Sequence, residues 1–282
     1  MVQIRKERTL HDGLTVPSIG FGTAHVKGQV GVTTIMSAIE NGFRLIDSAF
    51  NYENEGAVGE AVRRSSVPRE QLVIASKLPG RHHAYSNAVV TIQESLFRAR
   101  LDYYDIYLIH WPNPKQGLFL EAWQALIDAK RWGLVRSIGV SNFLPEHLDK
   151  IINETGVTPS INQNELHPYF SQAEQRAYDD KLGIVTQAWS PFGRGRKDGV
   201  LTDTHIGEIA EEYGKTPAQI ILRWQLQLGT LPIVKSSSAK RQLENLEVFD
   251  FSLRDETMSA INTLTKADGR IDQQNPNEYE EF

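Results

Sequence analysis

Short runs of apolar, often β-branched residues recur along the chain, each followed by a polar loop and then by a stretch with helical spacing of its apolar positions. Eight of these runs are short enough for strands and are almost continuously apolar, as parallel strands covered on both faces are. The predicted strands are Ser18–Gly22, Arg44–Asp47, Leu72–Lys77, Ile106–His110, Val135–Val140, Ser160–Gln163, Ile184–Ala188 and Leu231–Val234.

Amphipathic stretches between these runs predict helices. They cover Val30–Asn41, Glu53–Arg64, Asn87–Leu101, Leu118–Trp132, Glu146–Thr155, Gln172–Leu182, Asp203–Tyr213 and Pro217–Leu228, the last two both lying between the seventh and eighth strands. Ser171 with Glu174 and Thr216 with Gln219 have the spacing of a capping box, which predicts two helix starts. The segment Lys235–Asn245 predicts the start of the last helix.

The alternation of strands and helices predicts parallel β-α-β units with right-handed crossovers. Eight units favour a closed (β/α)8 TIM barrel, although an open doubly wound sheet produces the same alternation. Before the first strand, Asp12-Gly13 within Arg8–Pro17 predicts a β-hairpin that could plug the bottom of the barrel. Because no low-complexity linker interrupts residues 1–282, we expect a single barrel domain with extra helices near the C-terminus.

Composition narrows the possible functions. The 282 residues include no cysteine, which excludes disulfides, thiolate metal sites and cysteine nucleophiles. The net charge is −5 and no Lys/Arg-rich run occurs, so we expect neither nucleic acid nor an anionic membrane as a partner. The first residues lack the apolar region of a signal peptide, and no apolar run approaches the roughly 18 residues of a membrane span. We therefore expect a cytoplasmic protein.

Ionisable side chains fall at the ends of consecutive predicted strands. Asp47 ends the second strand, Lys77 the third and His110 the fourth, and Tyr52 lies in the loop after the second. Singly, such residues more often cap helices or fill space. In a barrel, however, the carboxyl ends of the strands meet on the active-site face, so these four would share one cleft.

Their chemistry suggests a division of labour. A tyrosine phenol, with a pKa near 10, is a poor acid at neutral pH, but a nearby ammonium lowers that pKa. Lys77 could have this effect on Tyr52, and Asp47 could hold Lys77 through an ion pair. His110 could hydrogen bond a substrate carbonyl oxygen beside Tyr52, so the group would polarise a carbonyl and deliver a proton.

Five stretches make the sequence resemble the aldo-keto reductase superfamily over nearly its whole length. They are Gly42–Glu55, Leu108–Pro112, Ile138–Phe143, Asn162–Pro168 and Val234–Ser236. The nearest branch resembles the bacterial diketogluconate reductases, which act on dicarbonyls and small aldehydes. The resemblance implies a TIM barrel and a catalytic tetrad of Asp47, Tyr52, Lys77 and His110.

The resemblance also implies NADPH or NADP+ bound without a Rossmann motif, and the chain has no strand–GxGxxG–helix unit. The glycine-containing loop Phe192–Gly199 would lie against the pyrophosphate. Ser141, Asn142 and Gln163 would bind the nicotinamide carboxamide, and Trp189 would stack on its ring. The remaining cofactor residues implied are Ser190, Lys235, Ser236, Arg241, Glu244 and Asn245, with Lys235 and Arg241 at the 2′-phosphate and Glu244 and Asn245 at the adenine.

The predicted function is reduction of aldehydes, ketones or dicarbonyls to alcohols by hydride transfer from NADPH, with Tyr52 as general acid. Phe50 and Trp111 suggest an aromatic substrate pocket. The loop Pro79–Tyr85 and the tail Ala267–Phe282 depart from the family pattern, so the substrate itself stays open. We expect a monomer acting on a small-molecule carbonyl substrate.

Two other functions are compatible with the sequence. One is a redox-sensing subunit that binds the cofactor without turnover, and the other is a barrel isomerase or aldolase with Lys77 as a Schiff-base nucleophile. A metal site is not expected, because His82 and His83 are adjacent and no HExxH occurs. A hydrolase is disfavoured because no GxSxG elbow is present.

Overall fold

The computed structural model describes residues 4–195 and 197–282, and it contains a closed parallel barrel. An antiparallel hairpin, β1 (Glu7–Thr9) and β2 (Thr15–Pro17), comes first. The barrel strands are β3 (Gly20–Gly22), β4 (Leu45–Asp47), β5 (Val73–Leu78), β6 (Tyr104–Ile109), β7 (Val135–Ser141), β8 (Ile161–Glu165), β9 (Val185–Trp189) and β10 (Leu231–Val234). They pair in chain order, and β10 pairs in parallel with both β9 and β3. The predicted barrel is confirmed and the open sheet is excluded.

Helices follow the strands as the sequence predicts. They are α1 (Gly28–Glu40), α2 (Glu55–Arg64), α3 (Tyr85–Ala99), α4 (Phe119–Arg131), α5 (Pro145–Thr155), α6 (Ala173–Lys181), α7 (Thr204–Tyr213), α8 (Pro217–Gln227), α9 (Ala239–Leu246) and α10 (Asp255–Asn262). Short 3-10 turns include Phe50–Tyr52 and Gly80–His82 in the loops after β4 and β5. The helix predicted from Lys235 starts only at Ala239, and it is not the last, because α10 follows it.

The two predicted capping boxes have different outcomes. Thr216 Oγ1 accepts the Gln219 N–H at 3.3 Å and the Gln219 side chain accepts the Thr216 N–H at 3.0 Å, so the box at the start of α8 is confirmed. The box at Ser171 is wrong. Gln172 precedes α6 in a left-handed conformation with φ of 50°, and Ser171 Oγ instead accepts a hydrogen bond from Thr265 at 2.7 Å.

The hairpin closes the amino-terminal end of the barrel. Leu10 and Val16, 2% and 0% exposed, join an apolar cluster with Leu45, Val73 and Ile106 from the starts of barrel strands. Burying each such side chain contributes about 1.5–3 kcal/mol. With this end filled by apolar side chains, the polar strand ends lie at the opposite, carboxyl-terminal face, where barrels carry their sites.

The outer core lies between the barrel and its helices. On α1, Val32, Ile35 and Ile39 are buried, and they share a cluster with Phe21 of β3 and with Phe43 before β4. The rings of Phe21 and Phe43 meet edge to face, with centroids 5.4 Å apart. This packing holds α1 and the residues that lead into β4 against the barrel. Within the described residues, no helix is long and apolar enough to cross a membrane.

Candidate active site

Four ionisable side chains meet at the carboxyl ends of β4, β5 and β6. Asp47 is the last residue of β4, and Tyr52 ends the 3-10 turn that follows it. Lys77 lies near the end of β5, and His110 directly follows β6. Lys77 Nζ lies 5.1 Å from the centroid of the Tyr52 ring, whose centroid is 5.8 Å from that of His110. The structure therefore brings together all four residues that the sequence placed in one cleft.

Lys77 is a buried cation with fixed partners. Its Nζ donates to Asp47 Oδ2 and to the Ser48 carbonyl oxygen, both at 2.7 Å, and its side chain is 0% exposed. Asp47 Oδ1 in turn accepts a hydrogen bond from Gln163 at 2.9 Å. Burial alone would lower the pKa of Lys77, but attraction to Asp47 and Tyr52 raises it above the ordinary value. The ammonium therefore stays charged beside the phenol.

Opposing effects act on the Tyr52 phenol. Burial raises its pKa, the Lys77 charge lowers it, and the carboxylates of Asp47 and Glu281 raise it further. The net pKa lies above the ordinary value. Lys77 thus lowers the pKa of Tyr52, as its chemistry suggests, but burial and two nearby anions outweigh this effect.

Sequence reasoning missed a carboxylate beside His110. Glu281, the penultimate residue, places Oε1 2.7 Å from His110 Nδ1, and its Oε2 accepts the Gly80 N–H at 3.0 Å. This contact with His110 is short, but it is not aligned as a hydrogen bond. No signal in the sequence identified this residue, because the tail follows no strand and has no periodic pattern.

The tail docks through several residues around Glu281. Asn113 binds its backbone twice, accepting the Glu281 N–H at 3.1 Å and donating to the Glu281 carbonyl oxygen at 2.8 Å. Glu280 accepts the Lys115 N–H at 2.7 Å, and the Tyr279 ring lies 4.4 Å from that of Trp111. The C-terminal tail therefore forms one wall of the candidate active site.

The two aromatic residues expected at the substrate lie on different parts of the pocket. Trp111 is 7% exposed, and its ring lies between Tyr279 and Trp189, 6.5 Å from the latter. Phe50 is 6% exposed and lies beneath the Arg98 guanidinium at 3.7 Å. A cavity of about 420 Å³ is lined by Phe50, Asn51, Glu53, Arg81, Arg98, Tyr279, Glu281 and Phe282.

Polar side chains at the ends of β7, β8 and β9 form a second group beside Asp47. Ser141 Oγ donates to the Gln163 carbonyl oxygen at 2.7 Å, and Asn142 Oδ1 accepts the Trp189 indole N–H at 2.8 Å. Both amide hydrogens of Gln163 are used, by Asp47 and by Gln187. The Gln163 side-chain oxygen and the second lone pair of Asn142 Oδ1 are left to accept the N–H groups of a ligand amide.

The segment around the start of α9 has the features of an anion site. Ser238 caps the helix by accepting the Arg241 N–H at 3.4 Å, and Ser236 Oγ accepts the Ser238 N–H at 3.1 Å. Lys235 and Arg241 are exposed. Glu244 is half-buried and Asn245 is 4% exposed. A helix start flanked by two exposed cations suits a phosphate group.

The loop after β9 connects these groups to the tail. Ser190 takes a left-handed conformation with φ of 49°, and its carbonyl oxygen accepts the Gly193 N–H at 2.8 Å. Arg194 forms an ion pair with Asp272 of the tail. Arg196, which belongs to the expected phosphate loop, lies outside the described residues.

His82 and His83, considered for metal binding, have separate environments. His82 Nδ1 hydrogen bonds Thr91 at 2.8 Å, whereas His83 is 0% exposed and neither of its ring nitrogens has a hydrogen-bond partner among the described residues. Across residues 4–195 and 197–282, no three His, Asp or Glu side chains are grouped so that they could hold a metal ion.

Comparison with known proteins decides the family. The sequence model of the Aldo/keto reductase family matches residues 18–266. The chain belongs to the aldo/keto reductase family. Among relatives, 2,5-diketo-D-gluconic acid reductase B of Corynebacterium sp. (strain SHS752001) is 49% identical, over 97% of this chain and 98% of its own length. Methylglyoxal reductase DkgA of Yersinia pestis is 42% identical, over 90% of this chain and 91% of its own length.

Solved structures agree with this family. A mutant of Gox0644 in complex with NADPH superposes with a TM-score of 0.92 at 40% identity, covering 97% of this chain and 98% of that one. An aldo-keto reductase of Bombyx mori in complex with NADP superposes with a TM-score of 0.89 at 34% identity, covering 100% of this chain and 99% of that one. The resemblance inferred from the sequence motifs is confirmed, and this aldo-keto reductase has the family's barrel.

Proposed function

We propose that this aldo-keto reductase reduces an aldehyde, ketone or dicarbonyl to an alcohol by hydride transfer from NADPH, with Tyr52 as proton donor. The observation that carries the proposal is the grouping of Tyr52, His110 and the buried pair Lys77–Asp47 on three adjacent strand ends. A phenol, an imidazole and an ammonium around one cleft are suited to polarising a carbonyl and supplying a proton.

Each residue has a distinct role in the proposal. Tyr52 donates its proton to the carbonyl oxygen as negative charge develops there. Lys77 stabilises the phenolate that remains, and Asp47 keeps Lys77 protonated and in place. His110 orients the carbonyl oxygen toward Tyr52. In the reverse direction, the phenolate of Tyr52 accepts the proton of the alcohol.

The cofactor would supply the hydride, and the residues present fit a nicotinamide dinucleotide phosphate. Acceptor oxygens on Gln163 and Asn142 suit the carboxamide nitrogen, with Ser141 alongside, and Trp189 offers a half-buried ring for stacking. The capped start of α9, with Lys235, Ser236 and Arg241, suits the 2′-phosphate. Glu244 and Asn245 on the same helix would contact the adenine, and Ser190 would lie along the cofactor.

Dicarbonyls and small aldehydes are the proposed substrate class. Two relatives with more than 40% identity carry the names of a diketogluconic acid reductase and a methylglyoxal reductase. In this chain, Phe50 and Tyr279 line the cavity together with the end of the tail, and Trp111 packs against Tyr279, which suits small, flat carbonyl groups. We further propose that the protein acts as a cytoplasmic monomer without nucleic-acid partners, in keeping with its net charge of −5.

The two alternative functions are less well supported. A Schiff-base mechanism needs an accessible, neutral amine, whereas Lys77 is 0% exposed and is held charged by Asp47. A cofactor-binding subunit without turnover would not need a proton donor grouped with a buried ammonium.

Loss of NADPH absorbance with a panel of dicarbonyls, aldehydes and keto-sugars tests the proposal. We expect turnover of at least one carbonyl class and a higher KM for it in Trp111→Ala. Trp132→Ala removes a tryptophan that is 54% exposed at the end of α4, and should leave KM unchanged. Tight NADPH binding without any reduction would favour the binding subunit, and an adduct at Lys77 after borohydride trapping would favour the Schiff base.

A further inference from the structure

We propose that Glu281 is a specificity-determining residue of the substrate pocket, whose carboxylate disfavours ketones that carry a carboxylate next to the reacting carbonyl. The inference rests on the proposed carbonyl reduction and extends it to the charge of the substrate. It follows from a fixed, buried anion in direct contact with His110, the residue that would orient the carbonyl oxygen.

The position of Glu281 is fixed by the protein around it. The side chain is 10% exposed, and Gly80 donates its N–H to Oε2. A side chain at Gly80 would meet the Asn113 amide at 2.2–2.5 Å, so glycine is needed where Asn113 binds the Glu281 backbone. Contacts of the two preceding residues, Glu280 with Lys115 and Tyr279 with Trp111, also hold the tail in place.

The Glu281 carboxylate is ionised at neutral pH. Burial would raise its pKa, but attraction to His110 and hydrogen bonds from Gly80 and the Asn51 side chain lower it below the ordinary value. The negative charge of Glu281 also acts on the proposed proton donor, since it is one of the causes that raise the pKa of Tyr52. A substrate in this pocket would therefore meet an anion that is already in place.

The two arginines of the same cavity offset this charge only weakly. Arg81 and Arg98 line the cavity and lie over the Phe50 ring. Arg98 is 42% exposed and lies 3.8 Å from Glu55, and Arg81 is exposed and donates to the Asn51 side chain. Water and salt screen exposed charges strongly, whereas a buried carboxylate is screened much less.

A 2-keto acid would bring a second carboxylate to the Glu281 side of the pocket. Its ketone oxygen has to face Tyr52 and His110, and its carboxylate is one bond away from the reacting carbon. Like charges about 6 Å apart repel by an amount that corresponds to about a threefold to a hundredfold loss of binding, depending on the local dielectric. A neutral ketone of the same size does not meet this repulsion.

Pyruvate and its neutral methyl ester, which share the same reacting ketone, provide the test. We expect a kcat/KM for methyl pyruvate about threefold to a hundredfold above that for pyruvate in the unmodified enzyme. Glu281→Gln keeps an acceptor for the Gly80 N–H and leaves the Asn113 contacts to the backbone, but it removes the charge. This variant should shrink the ratio, mainly by raising kcat/KM for pyruvate.

Glu280→Gln is the matched control. It also removes one negative charge from the tail, but the Glu280 side chain contacts Lys115 rather than His110. It should leave the ratio unchanged. If Glu281→Gln does not fold, Glu281→Ala supplies the same comparison. A ratio near one in the unmodified enzyme, or one that the Glu281 variants do not change, would overturn the inference while leaving carbonyl reduction intact. Failure to reduce pyruvate, methyl pyruvate or any other carbonyl would instead refute the proposed function.

Discussion

Lys77 Nζ lies 2.7 Å from Asp47 Oδ2, and neither side chain is more than 4% exposed. A buried ion pair of this kind contributes little net stability, but removing one partner leaves an uncompensated charge and costs about 3–5 kcal/mol. The partners of Lys77 keep it charged beside the Tyr52 ring. We therefore interpret the ion pair as a means of lowering the pKa of Tyr52 rather than of stabilising the fold.

Replacing Lys77 by methionine should therefore change the pH dependence as well as the rate. The Lys77 charge lowers the pKa of Tyr52, so its loss raises that pKa further. In alcohol oxidation, where the phenolate is the base, the pH of half-maximal kcat should move upward. The rate should fall by about a hundredfold or more. Lys115→Met, outside the tetrad, serves as control, and a slower variant with an unmoved pH profile would contradict this role.

Arg241 should distinguish the two nicotinamide cofactors. Its exposed side chain lies in the first turn of α9, where a 2′-phosphate would bind. A hydrogen bond to a charged group contributes about 1.5–3 kcal/mol, so Arg241→Ala should raise KM for NADPH by about tenfold or more. KM for NADH should barely change. Arg131→Ala, on the exposed face of α4, is the control, and equal losses for both cofactors would place the 2′-phosphate elsewhere.

His83 should make the protein less stable as the pH falls. Burial lowers its pKa to about 4 in the folded chain, although the Glu281 charge opposes the shift, whereas unfolded histidine titrates near 6.5. Between these values the unfolded state binds the proton first, so this part of the stability is present above pH 6.5 and lost as the pH falls toward 4. From pH 7.5 to 5.5 the loss is about 1 kcal/mol.

Urea unfolding at pH 7.5 and 5.5 measures this contribution. His83→Leu should reduce the loss of unfolding free energy between the two pH values by about 1 kcal/mol relative to the unmodified protein. His205→Gln, which changes a histidine that is 74% exposed on α7, should leave the loss unchanged. If His83→Leu shows the same pH dependence as the unmodified protein, His83 is not buried in its neutral form.

Much of the fold follows from periodicity. The strands were predictable because parallel barrel strands are apolar on both faces, and the helices because one face of each is apolar. The cap of α6 was not, because the capping-box spacing at Ser171 competes with a left-handed Gln172 and with a tertiary contact to Thr265. Helix α10 has a short and weakly patterned sequence, and it packs against α8, whose Trp224 donates its indole N–H to Asn262 at 2.9 Å.

The residues of the candidate site that lie at strand ends were predictable from the sequence. The residue that the C-terminal tail contributes was not. Asp47, Lys77 and His110 meet because barrel topology brings consecutive strand ends together. Glu281 reaches His110 only because Asn113 and Gly80 bind the tail across more than 160 residues of sequence. Such contacts depend on the shapes of two loops, which no local pattern encodes.

Replacing Tyr52 by phenylalanine tests the central claim most directly. The change removes one hydroxyl while keeping the ring, and the Lys77–Asp47 pair and the cofactor residues remain. We predict that kcat for reduction of the best carbonyl substrate falls by about a hundredfold or more, while the Kd for NADPH stays within about twofold. A variant that binds NADPH normally and reduces the carbonyl at the unmodified rate would show that Tyr52 is not the proton donor.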